Sequence, residues 1–159
     1  MDTSKKIVAL PSLKRAVSRF RKKGKKIAFT NGCFDLLHPG HIQYLEKAKK
    51  DNRILIIGLN SDRSVRSIKG KKRPINNQND RASILAALEC VDFVTIFNED
   101  TPEKLIQAVL PDILIKGADY QGKKIAGSKA VKDKGGRLEL IRFLPKYSTT
   151  MMIQKIKKL

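Results

Sequence analysis

Tryptophan is missing from this 159-residue sequence, and aromatic residues of all kinds make up only 6%. That is a thin supply for a surface that stacks bases. No RRM or KH signature is present either, so a nucleic-acid-binding module is disfavoured. Cysteine occurs twice, at Cys33 and Cys90, with no short paired spacing. This argues against a disulfide scaffold and a metal knuckle, and a reducing cytoplasm is the simpler setting. No apolar run approaches the roughly 20 residues that a membrane-spanning helix needs. The ten glycines and six prolines are dispersed, which excludes collagen-like and long Pro-rich chains. Acidic residues are scarce: 15 Asp+Glu stand against 34 Lys+Arg, a formal net charge of +19. They form no dense carboxylate cluster that predicts an all-protein metal cage.

What remains is enough for a core, since hydrophobic residues reach 41%. A chain of this length is expected to form one domain, residues 1–159, with no internal repeat and no linker. Lysine and arginine cluster at Lys14–Lys26, Lys69–Arg73 and Lys123–Lys134. The first cluster reads as solvated surface. Its apolar residues Leu10, Leu13, Val17 and Phe20 fall at helical spacing. This predicts a basic amphipathic helix over about residues 11–24, packed on the domain, rather than a transit peptide. No uninterrupted apolar stretch follows the charges, so a secretory signal is not expected.

Short apolar runs alternate with helical stripes. Lys26–Thr30, Arg53–Leu59, Asp92–Phe97, Asp112–Lys116 and Arg137–Leu144 read as strands. His41–Lys50, Asp80–Cys90, Pro102–Leu110 and Thr149–Lys158 read as helices, and Ile125–Ser128 as the start of a short one. This alternation predicts an α/β fold: a Rossmann-like, doubly wound parallel sheet of about five strands with helices on both faces. Right-handed crossovers then gather the strand C-termini along one edge, where ligands bind.

The segment Thr30-Asn31-Gly32-Cys33-Phe34-Asp35-Leu36-Leu37-His38-Pro39-Gly40-His41 leaves the first strand and enters a helix. Pro39 suits a first helical turn. His38 and His41, three apart and the only histidines in the chain, are expected to share one helix face. The helix N-terminus favours anions, and imidazoles there can donate to a phosphate or a charged leaving oxygen. Gly32 and Gly40 leave room for close approach of a ligand. Two surface histidines at a capped helix start remain the plain alternative, and two histidines without a third ligand make a poor zinc site.

The string TNGCFDLLHPGHIQYLEKAK resembles the signature of the HxGH nucleotidyltransferases. GLNSDRSVRSIKGKKRPINNQNDRASILAALECVDFVTIF looks like the middle of that family's small enzymes. EDTPEKLIQAVLPDILIKGADY, IAGSKAV and the later STT are similar to the adenylyltransferases that make ADP-heptose from heptose 1-phosphate, here in free-standing form without the fused sugar kinase. The resemblance implies in-line attack of a sugar-phosphate oxygen on the α-phosphorus of ATP, with pyrophosphate leaving and lipopolysaccharide core synthesis as the destination.

It also implies roles. His38, His41 and Lys69 would be catalytic, the histidines on the α-phosphate and Lys69 on phosphate. Thr30, Asn31, Gly32, Cys33, Phe34 and Gly40 would line the nucleotide side. So would Lys116, Gly117 and Asp119 at the end of a strand, and Ser148, Thr149 and Thr150 at the last helix start. Asp119 would contact ribose or base, or only shape a turn; Ser148 is equally a good N-cap. Asp35, Arg73 and Arg81 would hold the sugar phosphate, although Asp35 could instead fix the turn. Mg²⁺ would accompany ATP, held mainly by phosphate and water. The expected partners are ATP and a sugar 1-phosphate, with a homodimer as the assembly, no membrane insertion and no nucleic acid. One departure matters: the cytidylyltransferases carry Arg-Thr-x-Gly-Ile before Ser-Thr, and this sequence has Leu144-Pro145-Lys146-Tyr147. That weakens a CTP-dependent, phospho-alcohol-specific alternative and raises Lys146 as a substitute charge.

Overall fold

The computed structural model describes residues 2–50, 52–145 and 147–158. Five strands form one sheet: β1 (Lys26–Gly32), β2 (Arg53–Asn60), β3 (Phe93–Phe97), β4 (Ile113–Gly117) and β5 (Arg137–Ile141). All pairings are parallel and the order is β3-β2-β1-β4-β5. The helices are α1 (Leu10–Lys22), α2 (Pro39–Ala48), α3 (Asp62–Lys69), α4 (Gln78–Ala87), α5 (Glu103–Val109), α6 (Ser128–Asp133) and α7 (Thr149–Ile156). The doubly wound architecture expected from the alternation is therefore the observed one.

The inner strands β2 and β4 read as near-continuous apolar runs because both faces are covered. Ala28, Leu55, Ile57, Ile113 and Ile115 point to one face, where Tyr44 and Leu45 of α2 and Leu85 of α4 meet them. Ile27, Phe29, Ile54, Ile56 and Leu114 point to the other, against Leu13 and Val17 of α1 and Leu105 and Ile106 of α5. The basic N-terminal segment is thus a helix whose buried stripe seals the sheet.

The chain winds outward from β1 through β2 to β3, then returns to the other side of β1 to lay down β4 and β5. The switch point lies between β1 and β4. Loops leaving those two strands diverge there, and a crevice opens at their C-terminal ends.

Several boundaries differ from expectation, among them β1, which runs on to Gly32, and α4, which spans Gln78–Ala87 rather than Asp80–Cys90. α2 begins at Pro39 rather than His41, because His38 caps it and Pro39 needs no partner for a missing N–H. β5 ends at Ile141 rather than Leu144. Its partner at that point is Gly117, and the space where a side chain on Gly117 would sit is filled by the Phe143 ring. The chain leaves the sheet so that Phe143 can stack on Tyr44, with ring centroids 5.0 Å apart.

Candidate active site

The turn after β1 is built around an aromatic residue in an unusual conformation. Phe34 has φ +43°, a region that bulky side chains enter rarely. Its ring is wedged between Gly32 and His41: a Cβ on Gly32 would lie 3.0 Å from it, and the His41 ring centroid is 5.3 Å away. Gly32 is needed here for closeness, and Phe34 in return packs against the His41 ring.

His38 is not on the helix face with His41, as the spacing had suggested. It is the N-cap, in extended conformation, and its Nδ1 accepts from the His41 backbone N–H at 3.3 Å. Neutral His38 therefore carries its proton on Nε2. The cap folds the two rings into a stack, with centroids 3.8 Å apart and planes 18° from parallel. Gly40 permits this, since a Cβ there would approach His38 Nδ1 to 3.1 Å and Tyr147 Cβ to 3.2 Å. His41 Nδ1 is buried and unpartnered among the described residues. Burial, and then the His38 charge, pull the His41 pKa down to about 4; burial also lowers that of His38. Both rings are neutral at pH 7, each with one N–H to offer.

Asp35 and Arg81 organise the loops around this pair. The Asp35 side chain is buried and accepts from Arg73 Nε at 2.5 Å, from the Ile75 N–H at 2.8 Å and from the Asn76 N–H at 2.9 Å. Burial would raise its pKa, but the Asn76 and Ile75 N–H groups and the Arg73 guanidinium outweigh it and hold the carboxyl below its usual range. Of the two roles expected for Asp35, the fastening one is what these bonds provide, although it fastens a distant loop rather than its own turn.

Arg81 corrects the expectation of a substrate contact. It is fully buried and donates to the carbonyls of Cys33 (2.6 Å), Asn60 (2.8 Å) and Asn76 (3.0 Å) and to Asp62 Oδ1 (2.8 Å). It pins the ends of β1 and β2 to the loop before α4. Thr30 likewise turns inward, sharing a 2.7 Å hydrogen bond with the Tyr44 hydroxyl in the core.

The remaining predicted residues converge. A cleft of about 650 Å³ is lined by Asn31, Gly32, Cys33, Phe34, Asp35, His38 and His41, and by the cations Lys69, Arg73 and Lys116. Ser148, Thr149 and Thr150 close it at the start of α7. Ser148 Oγ caps α7 by accepting from the Met151 N–H at 3.1 Å. Lys116 is buried and donates to Asn31 Oδ1 across the switch point. Gly117 and Asp119 border a side recess of about 140 Å³. Lys146 lies outside the described residues.

The sequence reasoning missed Asp100, Thr101 and Pro102 after β3, along with Lys124, Phe143 and Tyr147, all of which line the cleft. The first three were recoverable, since every strand C-terminus in this fold faces the same edge. Phe143 was hidden by its assignment to β5.

Among the described residues no group of three or more His, Cys, Asp or Glu side chains is arranged to hold a metal. The one carboxylate under the histidine turn, Asp35, is already saturated by three donors. No helix of the described residues is long and apolar enough to cross a membrane.

A sequence model of the cytidylyltransferase-like family matches residues 29–155. The bifunctional protein HldE of Citrifermentans bemidjiense is 51% identical over 155 residues, which cover 98% of this chain and 32% of that protein. The bifunctional protein HldE of Campylobacter fetus is 56% identical over 153 residues, covering 96% of this chain and 32% of that one. The chain thus spans about a third of the length of these curated relatives. A solved structure of the lipopolysaccharide core biosynthesis protein from Thermoplasma volcanium superposes with TM-score 0.61 at 29% identity, covering 77% of this chain and 98% of that one. The pantoate-beta-alanine ligase of Francisella tularensis, at 20% identity and TM-score 0.57 over 96% of this chain and 78% of its own, shares the fold.

Proposed function

The chain belongs to the cytidylyltransferase-like family, and from that premise we propose that residues 1–159 form one nucleotidyltransferase domain that moves AMP from ATP to D-glycero-β-D-manno-heptose 1-phosphate. A phosphate oxygen of the sugar phosphate attacks the α-phosphorus; the bond from that phosphorus to the bridging oxygen breaks; pyrophosphate leaves with the electron pair and ADP-heptose remains. Atoms and charge balance without a covalent enzyme intermediate. Positioning and charge neutralisation supply the rate.

The observation that carries this reading is the stacked, neutral His38–His41 pair at the N-terminus of α2. Each ring donates one N–H, and His38 Nε2–H is fixed as donor by the cap on its Nδ1. They suit the α-phosphate oxygens and the departing bridging oxygen, with the helix N-terminus adding favourable potential. Lys69 and Arg73, which share the cleft, suit phosphate. The hydroxyls at the start of α7 suit the β- and γ-phosphates, and Asn31, Gly32, Cys33, Phe34, Gly117 and Asp119 the nucleoside. When bound with ATP, Mg²⁺ would supply charge neutralisation at the phosphates, beside the Lys69 and Arg73 cations that share the cleft.

The lipopolysaccharide core biosynthesis protein among the solved structures supports lipopolysaccharide core synthesis as the setting; heptose as the acceptor rests on the resemblance of the EDTPEKLIQAVLPDILIKGADY and IAGSKAV segments, and the cytoplasm on the absence of paired cysteine spacing in the sequence. Self-association as a homodimer belongs to the same proposal and is tested by light scattering. The alternative is CTP with a phospho-alcohol such as glycerol 3-phosphate, which the family description favours and the missing arginine before Ser148 does not.

Pyrophosphate release separates them. With Mg²⁺ and heptose 1-phosphate, release with ATP but not CTP or GTP upholds the proposal; release with CTP and glycerol 3-phosphate overturns it. His41→Ala should lower turnover about 100-fold or more, with a melting temperature close to the parent's. Parental turnover in that variant contradicts the assigned role.

A further inference from the structure

Four rings follow one another through the candidate site. Tyr147 pairs with His38 at 6.2 Å between centroids and 25° between planes. His38 pairs with His41 at 3.8 Å and 18°, and His41 with Phe34 at 5.3 Å. Among the described residues Tyr147 pairs with no ring but His38. Phe34, in the turn after β1, is buried, whereas Tyr147, on the segment between β5 and α7, is 45% exposed. One end of the series is set in the core and the other is carried on a loop.

The His38 ring depends on what packs against it. Its hydrogen bond among the described residues is the cap on Nδ1, a long one at 3.3 Å. One such bond settles which nitrogen carries the proton but leaves the ring free to tilt. A group that acts on a reacting centre must be held within about 0.5 Å of its productive position, so packing has to remove that freedom. His41 supplies part of the packing. Tyr147 supplies more, since offset rings about 4.5–7 Å apart attract each other beyond the area they bury.

Tyr147 is also seated closely. A Cβ on Gly40 would approach Tyr147 Cβ to 3.2 Å, so the glycine admits the chain that bears Tyr147 as well as the His38 ring. The same two segments meet again where Thr149 Oγ1 donates to the Leu36 carbonyl at 3.4 Å. No residue of α7 is buried, so the start of that helix is held to the histidine turn by surface contacts such as these. A ring left nearly half exposed contributes modestly to the stability of the fold. What it covers is the His38 imidazole, itself 8% exposed, at the border of the cleft that both residues line.

We propose that Tyr147 is a positioning residue for His38: its ring holds the imidazole in the stack and in register with the hydroxyls that open α7. His38 Nε2–H and the Ser148–Thr150 hydroxyls then meet a triphosphate as one preset surface. The consequence for turnover rests on the nucleotidyl-transfer reading of the cleft; the ring contact does not.

The test uses the full chain with Tyr147→Ala, which removes the ring, and Tyr147→Phe, which keeps the ring and removes the hydroxyl. Pyrophosphate release gives kcat and KM, and calorimetry gives the affinity for a non-hydrolysable ATP analogue with Mg²⁺. Proton NMR follows the rings of the chain's two histidines, assigned with His41→Ala. Tyr147→Ala should lower kcat about tenfold, keep analogue affinity within about threefold of the parent, and move the His38 ring resonances more than those of His41. Tyr147→Phe should restore kcat to within about twofold of the parent. Parental kcat in Tyr147→Ala overturns the proposal, as do His38 resonances at their parental positions. A Tyr147→Phe variant as slow as Tyr147→Ala overturns it by giving the work to the hydroxyl. Analogue affinity weakened by more than about threefold overturns it by making Tyr147 a nucleotide contact or a prop for α7. Should Tyr147→Ala fail to fold, Tyr147→Leu takes its place under the same criteria. If the parent releases no pyrophosphate with any nucleotide, the functional reading fails separately. Displaced His38 resonances in Tyr147→Ala then still uphold the positioning contact, and unmoved ones overturn it.

Discussion

His41 holds a polar atom, Nδ1, buried without a partner, and a pKa pulled down to about 4 from the ordinary 6.5, by burial and then by His38. Proton linkage gives this a sign. The folded pKa lies below the unfolded one, so the stability contribution is full above pH 6.5 and is lost as pH falls from 6.5 through about 4. His41→Phe should flatten the fall in melting temperature over that window; a parental slope contradicts the neutral-pair assignment. Glu139 acts in a lower window. Hydrogen bonding to Arg53, against a burial penalty and with help from Lys50, pulls its pKa from 4.5 to about 2. Its stabilisation is full above pH 4.5 and disappears toward pH 2. Glu139→Gln should therefore lower the melting temperature above pH 4.5, with the gap to the parent closing toward pH 2, and leave the slope in the histidine window intact. At this scale the helix start at Pro39 was legible from the sequence, because a first-turn proline is a local signal; that His38 caps the helix and stacks on His41, rather than sharing its face, was not. Arg81 was not, because its burial follows from carbonyls at Cys33, Asn60 and Asn76 that only the fold brings together.

The elements around the site are held by latches rather than by the strands alone. Asp35 fastens the turn after β1 to the loop before α4, and Arg81 ties that loop to β1 and β2. Breaking a buried, hydrogen-bonded charge is costly, so Arg81→Met should lower the unfolding free energy by about 3–5 kcal/mol in a denaturant titration. A change under about 1 kcal/mol contradicts the pinning role. Asp35→Asn should release Arg73 and the 73–76 backbone while leaving the histidine stack in place. Its expected signature is a raised acceptor KM, read against a kcat that changes less. The inner strands were legible because β2 and β4 are buried along their whole length, whereas the edge strand β5 is buried only at Ile141. Strand and helix ends were less so, since they depend on a single cap at His38 and on one ring, Phe143, filling the space over a glycine.

Across the whole molecule, the strand order places every proposed group along one edge, although they come from residues 31 to 150. Alternation of strands and helices was enough to predict that edge; which loops meet across it was not, because that depends on the return past β1. The formal charge of +19 acts at this scale as well. It favours encounter with anionic substrates, and kcat/KM should fall as ionic strength rises, more steeply than kcat. The account as a whole stands on the imidazole pair. Its most direct test is a crystal structure of the chain with a non-hydrolysable ATP analogue. The account predicts Nε2 of His38 and of His41 at about 3 Å from oxygens of the α-phosphate, with the β- and γ-phosphates at the start of α7. An α-phosphate bound elsewhere in the cleft, beyond hydrogen-bond reach of both rings, contradicts it.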